Sequence, residues 1–138
     1  MHWSIYALGS AVFAALVAIF GKLGLQGIDS TLATTVRSVV MTLFLVLVSF
    51  SLGKFEFLGT LNNRALAFII LSGLAGALSW LLYFLAIKLG PVSGVAGIDR
   101  TSVVFALILA ALFLGESFTA QKALGAALVA IGAVLLAI

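Results

Sequence analysis

Long apolar runs alternate with short polar interruptions along the whole chain. Five runs stand out, over about residues 3–20, 31–52, 65–87, 95–114 and 122–138. At 1.5 Å per residue, about 20 apolar residues cross a hydrocarbon core of about 30 Å as one helix. The runs are continuous, whereas strands of a membrane barrel would switch polarity residue by residue over segments of about ten. Between the runs lie "GLQGIDS", "GKFEFLGTLNNR", "KLGPVSG" and "GESFTAQK". Their Ser, Thr, Asp and Asn residues are good helix N-caps, and Gly90-Pro91 stops the third run. The pattern predicts an all-α integral membrane protein with five transmembrane helices. Its connections are too short to hold a domain outside the bilayer, so residues 1–138 read as a single five-helix membrane domain.

Composition strengthens that picture. The chain is 64% hydrophobic and 8% charged, where a soluble domain carries about 25% charged residues. It has no cysteine, which removes disulfides, thiol chemistry and Cys-based metal sites, and its one histidine, His2, is terminal. A net charge of +3 suggests nucleic acid only if the basic residues cluster. Here they stand singly between apolar runs and read as anchors at the membrane boundary. The first run lacks a basic leader and is followed closely by the second, so it is expected to be a span and not a cleaved signal peptide.

Loop charges set orientation, and this chain offers little bias. The amino terminus and the second and fourth loops share one face, with Lys54, Arg64 and Lys122. The first and third loops share the other, with Lys22 and Lys88. Adding Arg37 and Arg100, near that second face, turns three against two into three against four. The positive-inside rule needs an asymmetry to act on, so both orientations are expected to insert at similar cost.

No nucleophile with a base, paired carboxylates, metal cluster or phosphate-cradling glycine motif is visible, so neither an enzyme nor a metal or cofactor is expected. The informative residues are the polar ones within the spans. Arg37 lies about two turns into the second run and Asp99 about one turn into the fourth, entering from the same face, so the two can pair across helices. Arg100 cannot pair well with Asp99, because neighbours on a helix point about 100° apart. These charges fit two roles: interfacial anchors, or a polar vestibule for a substrate or ion. Trp80 and Tyr83, at i and i+3 with Ser79 beside them, fit either an interfacial aromatic belt or the wall of a solute site. Gly73 and Gly76 in the third run, and Gly125 and Gly132 in the fifth, make small-residue faces suited to close helix packing, within one copy or between two.

Three stretches, "FGKLGLQGIDSTLATTVRS", "ALSWLLYFLAIKLGPVSGVA" and "FALILAALFLGESFTAQKALGAALVAIGAVLL", together resemble the EamA-type domain of the drug/metabolite transporter superfamily. The LGP turn, the LGE that closes the fourth run and the two glycines of the fifth carry the match. The resemblance implies one repeat of an inverted-repeat transporter whose larger members join two five-helix repeats of opposite orientation. It implies a small organic metabolite or drug-like solute as substrate, and cavity positions at Trp80, Tyr83, Asp99 and Arg100. A lone repeat cannot close such a cavity, so the expected partner is a second, oppositely inserted copy in a prokaryotic inner membrane. The sequence departs from the family where a proline often kinks the fourth helix (Val103 stands about there), and at Gly97 and Arg100 beside Ile-Asp. The membrane glutamate of small four-helix relatives is missing from the first run, where Tyr6 is the ionisable residue. The expectation is a secondary transporter working by alternating access, more an exporter than an importer, with Asp99 as the proton or cation partner. The competing class is a non-transporting membrane subunit or lipid-handling accessory component.

Overall fold

The computed structural model describes residues 2–138. The elements are α1 (His2–Gly24), α2 (Ser30–Ser51), a 3-10 segment (Lys54–Thr60), α3 (Asn63–Leu89), α4 (Val92–Asp99), α5 (Ser102–Phe113) and α6 (Ala120–Ala137). Among the described residues, five helical stretches are long and apolar enough to cross a membrane: His2–Gly24, Ser30–Ser51, Asn63–Leu89, Val92–Phe113 and Ala120–Ala137. The chain is therefore an all-α, multi-pass integral membrane protein. Large side chains such as Leu43, Phe44 and Leu82 are exposed along these stretches. In water that surface would drive aggregation, whereas acyl chains receive it without penalty.

The helix starts follow local chemistry. Asp29 has an extended backbone, and its carboxylate accepts from the N–H groups of Thr31 at 2.9 Å and Leu32 at 3.0 Å, which caps α2. The Asn62 side chain accepts from the Ala65 N–H at 2.7 Å, and the Thr119 hydroxyl from the Lys122 N–H at 3.3 Å, at the starts of α3 and α6. The second loop holds the 3-10 segment, Lys54–Thr60.

The chain divides into two compact units, residues 1–22 with 89–138, and residues 23–88. In the first unit α4 and α5 both pack on α6. Gly94 and Gly97 make the closest approach. A Cβ at Gly97 would sit 3.0 Å from Leu136 Cβ and 3.4 Å from the Ala133 carbonyl, and one at Gly94 would lie 3.4 Å from Ala137 Cα. Beside this seam, Lys22 Nζ donates to the Gly90 carbonyl at 2.9 Å, which ties the end of α1 to the LGP turn. At the other end of α5, Gly115 takes φ +68°, a conformation that ordinary residues resist. That turn lets the Glu116 N–H reach back to the Ala110 carbonyl at 3.2 Å. The LGE motif is thus a helix stop.

The fourth span is one helix in the sequence expectation and two in the structure. It breaks at Arg100–Thr101, between α4 and α5. Through the break the hydrogen bonds tighten to three-residue spacing: Thr101 N to Ile98 O at 2.9 Å, Val103 N to Arg100 O at 3.1 Å and Val104 N to Thr101 O at 2.9 Å. The Thr101 hydroxyl also donates to the Ile98 carbonyl at 2.7 Å. A side chain that competes for a backbone carbonyl favours such local tightening, so the break arises here without a proline.

In the second unit the 3-10 segment folds back against α2. Lys88 Nζ donates to the Ile28 carbonyl at 3.1 Å, joining the end of α3 to the loop before α2. Both boundary lysines that the sequence marks as anchors, Lys22 and Lys88, therefore also close loop carbonyls.

Candidate functional site

α2 begins with a stripe of hydroxyls. Thr34 donates to the Ser30 carbonyl at 2.8 Å, Ser38 to Thr34 at 2.8 Å and Thr42 to Ser38 at 2.9 Å, while Thr35 donates to Thr31 at 2.9 Å. With no water in the bilayer core, a hydroxyl in a helix satisfies itself on the carbonyl one turn earlier. The protons of Thr34, Thr35, Ser38 and Thr42 are therefore committed, and those four oxygens present lone pairs only.

Arg37 projects from α2 within this stretch and meets an aromatic cluster on α3. Its guanidinium carbon lies 3.6 Å from the centroid of the Trp80 ring and 5.4 Å from that of Phe84. Trp80 packs edge-on against Tyr83 at 5.5 Å and against Phe84 at 5.9 Å. Phe84 and Ile87 are buried, while Arg37, Trp80 and Tyr83 are half-buried. The periodicity that puts Trp80 and Tyr83 on one face of α3 is realised here.

Magnitudes show what this contact leaves undone. An arginine at membrane depth costs about 2.5–3.5 kcal/mol on insertion scales. A desolvated cation–π contact returns about 2 kcal/mol. The contact also engages only the π face of the guanidinium, which carries five N–H donors in its own plane. No protein acceptor takes these donors among the described residues, and the ion pair found there is Lys122 with Glu116, exposed and 3.5 Å apart. The Arg37–Asp99 pair expected from depth would join residues of different units, and within its own unit Arg37 turns to a ring face.

Asp99 is half-buried at the last residue of α4, and Arg100, exposed, closes that helix by donating its N–H to the carbonyls of Ala96 at 3.3 Å and Gly97 at 3.1 Å. Ser79 is exposed on α3. A Cβ added at Gly73, Gly76, Gly125 or Gly132 would meet nothing within 4 Å. The close approaches within one copy fall at Gly94 and Gly97 instead, of which the sequence singles out only Gly97, as a departure from the family pattern. The four open glycines remain free to meet lipid or another copy. Sequence reasoning also missed Phe84 and the Ser30–Thr34–Ser38 stripe. Both were signalled by spacing, Phe84 at i+4 from Trp80 and the hydroxyls at successive i+4 steps leading to Arg37.

Comparison with known proteins follows the same lines. The family model described as the EamA-like transporter family matches residues 1–138. A protein of Sinorhizobium sp. named "Uncharacterized transporter in cobO 3'region" is 42% identical over 136 residues, covering 99% of this chain and 96% of its own length. No solved structure matches.

Proposed function

Since the chain belongs to the EamA-like transporter family, we propose that it is a secondary transporter that exports a small organic metabolite or drug-like solute through an antiparallel homodimer. Family membership and five spans make it a multi-pass membrane transporter. The solute, the direction and the dimer go beyond that. The observation that carries the proposal is the half-buried guanidinium held against aromatic rings between α2 and α3, both of them membrane spans. An ionisable group maintained at membrane depth is by default part of a solute or ion path.

Support for the dimer is physical. One five-helix repeat of an inverted-repeat fold does not enclose a cavity. The near-equal loop charges allow the opposite insertion that such a partner needs, and open glycine faces on α3 and α6 permit close approach. Asp99, half-buried at the break of the fourth span, is the proposed proton or cation partner; Arg100 beside it, and Ser79, Trp80 and Tyr83 on α3, are the other residues proposed to handle the solute. A bacterial relative fits placement in the inner membrane.

Reconstitution tests the proposal. A metabolite library is first screened for solutes that raise the melting temperature of the detergent-solubilised protein, because a binder stabilises the state it binds. Gradient-driven uptake of the hits is then measured in liposomes. Asp99→Asn is expected to abolish that uptake while leaving the melting temperature unchanged, and unaltered uptake would remove Asp99 from the mechanism.

A further inference from the structure

We infer that Arg37 and the aromatic cluster form an oxyanion site, and that the solute carries a carboxylate or phosphate next to an apolar or aromatic body. This rests on the transporter proposal and names its substrate class. The argument starts from donors. Across the stretch of α2 around Arg37, the hydroxyls of Thr34, Thr35, Ser38 and Thr42 all give their protons to backbone carbonyls. They have none left for a ligand. The Arg37 guanidinium is different: its π face is used by Trp80 at 3.6 Å, and no carboxylate pairs with it among the described residues. A planar fork of N–H donors, fixed by stacking and lacking an acceptor, matches carboxylate and phosphate oxygens two at a time.

The surroundings decide between charges. A cationic solute would be repelled by a guanidinium already lying on the ring that would otherwise attract it. An anion meets the donors and can set its apolar part against Tyr83 and Trp80, whose rings stand 5.5 Å apart. The oxyanion has two sources of the same chemistry, a free organic anion or the phosphate of a lipid headgroup.

The chain has two tryptophans, and in the Trp3→Phe variant Trp80 alone reports on the site. Purified in a phosphate-free maltoside detergent, this full-length variant is titrated with benzoate, phenylphosphonate and benzylammonium while Trp80 emission is followed. Saturable changes are expected with the two anions and none with the cation. Adding Arg37→Gln should abolish the response, and Arg37→Lys, which keeps the charge and loses the fork, should weaken it at least about tenfold. Gel filtration identifies any variant that fails to fold, and the charge series on the unaltered site stands without it. Phosphatidylglycerol is added in a parallel titration. A response to lipid that blocks benzoate assigns the oxyanion to a headgroup, and a benzoate response that lipid does not block assigns it to a solute. An equal response to benzylammonium, or no response to any anion, overturns the inference. The two proposals also fail separately. Flux of a neutral or cationic solute with no anion response sinks the oxyanion site alone, and anion binding with no flux of any solute sinks transport alone.

Discussion

Asp29 caps α2 from outside the membrane, and its carboxyl is held below the usual carboxylate range, first by the Leu32 N–H, then by that of Thr31 and the charge of Lys88. A lowered folded-state pKa contributes stability that is present above the unfolded value of about 4 and disappears as pH falls through the folded one. The melting temperature in detergent is therefore expected to decline on acidification below about pH 4, with a shallower decline in Asp29→Asn, whose amide still caps but does not titrate. An equal decline in both proteins would show that this carboxylate is not responsible. Gly97 makes a sharper residue-scale contrast. Gly97→Ala places a methyl 3.0 Å from Leu136 Cβ, overpacking that is expected to cost about 1–3 kcal/mol. Gly73→Ala meets nothing within 4 Å and should leave the melting temperature of one copy unchanged or slightly raised.

At the scale of elements, the fourth span carries its irregularity in Thr101. The hydroxyl bonded to Ile98 O competes with the regular helix ladder, and three-residue bonds run from there to Val104. Thr101→Val removes the competing donor and keeps the shape, so α4 and α5 should join into one helix. Hydrogen exchange read by mass spectrometry is expected to slow across residues 100–104, and unchanged exchange would place the cause of the break elsewhere. Because the break lies immediately after Asp99, joining the helices should also slow uptake in liposomes if the break serves access to that carboxylate.

At the scale of the whole molecule, the balance of charge across the loops is the controlling quantity. Three boundary charges face two, or four once Arg37 and Arg100 are counted, so neither orientation wins on the positive-inside rule. The chain has no native cysteine, so Gly59→Cys in the 3-10 segment supplies a single label site. Labelling of intact cells with an impermeant maleimide is expected to reach about half of the molecules, with the remainder reacting only after permeabilisation, as two orientations at similar cost require. Reaction from one side alone would end the antiparallel dimer and leave the single-copy transporter.

Hydrophobic run length and polar punctuation determine the spans by themselves, because in lipid the backbone must close its hydrogen bonds within each segment. That requirement is local, so residues 31–52 and 65–87 read from sequence come within a few positions of α2 and α3. The caps at Asp29, Asn62 and Thr119 and the stop at Gly115 are equally local and were legible for that reason. Which charges meet depends on rotation and packing between helices, which a one-dimensional pattern does not contain. The sequence places Arg37 about two turns into its span, and only the fold supplies the Trp80 ring face on α3 that it meets. Glycine on several faces suits close approach equally well, and only the packing of α4 on α6 selects Gly94 and Gly97 for it. The break after Asp99 belongs to the structure too, since a threonine in a helix can bond its hydroxyl back without consequence, as Thr34 does, or with a change of ladder, as Thr101 does.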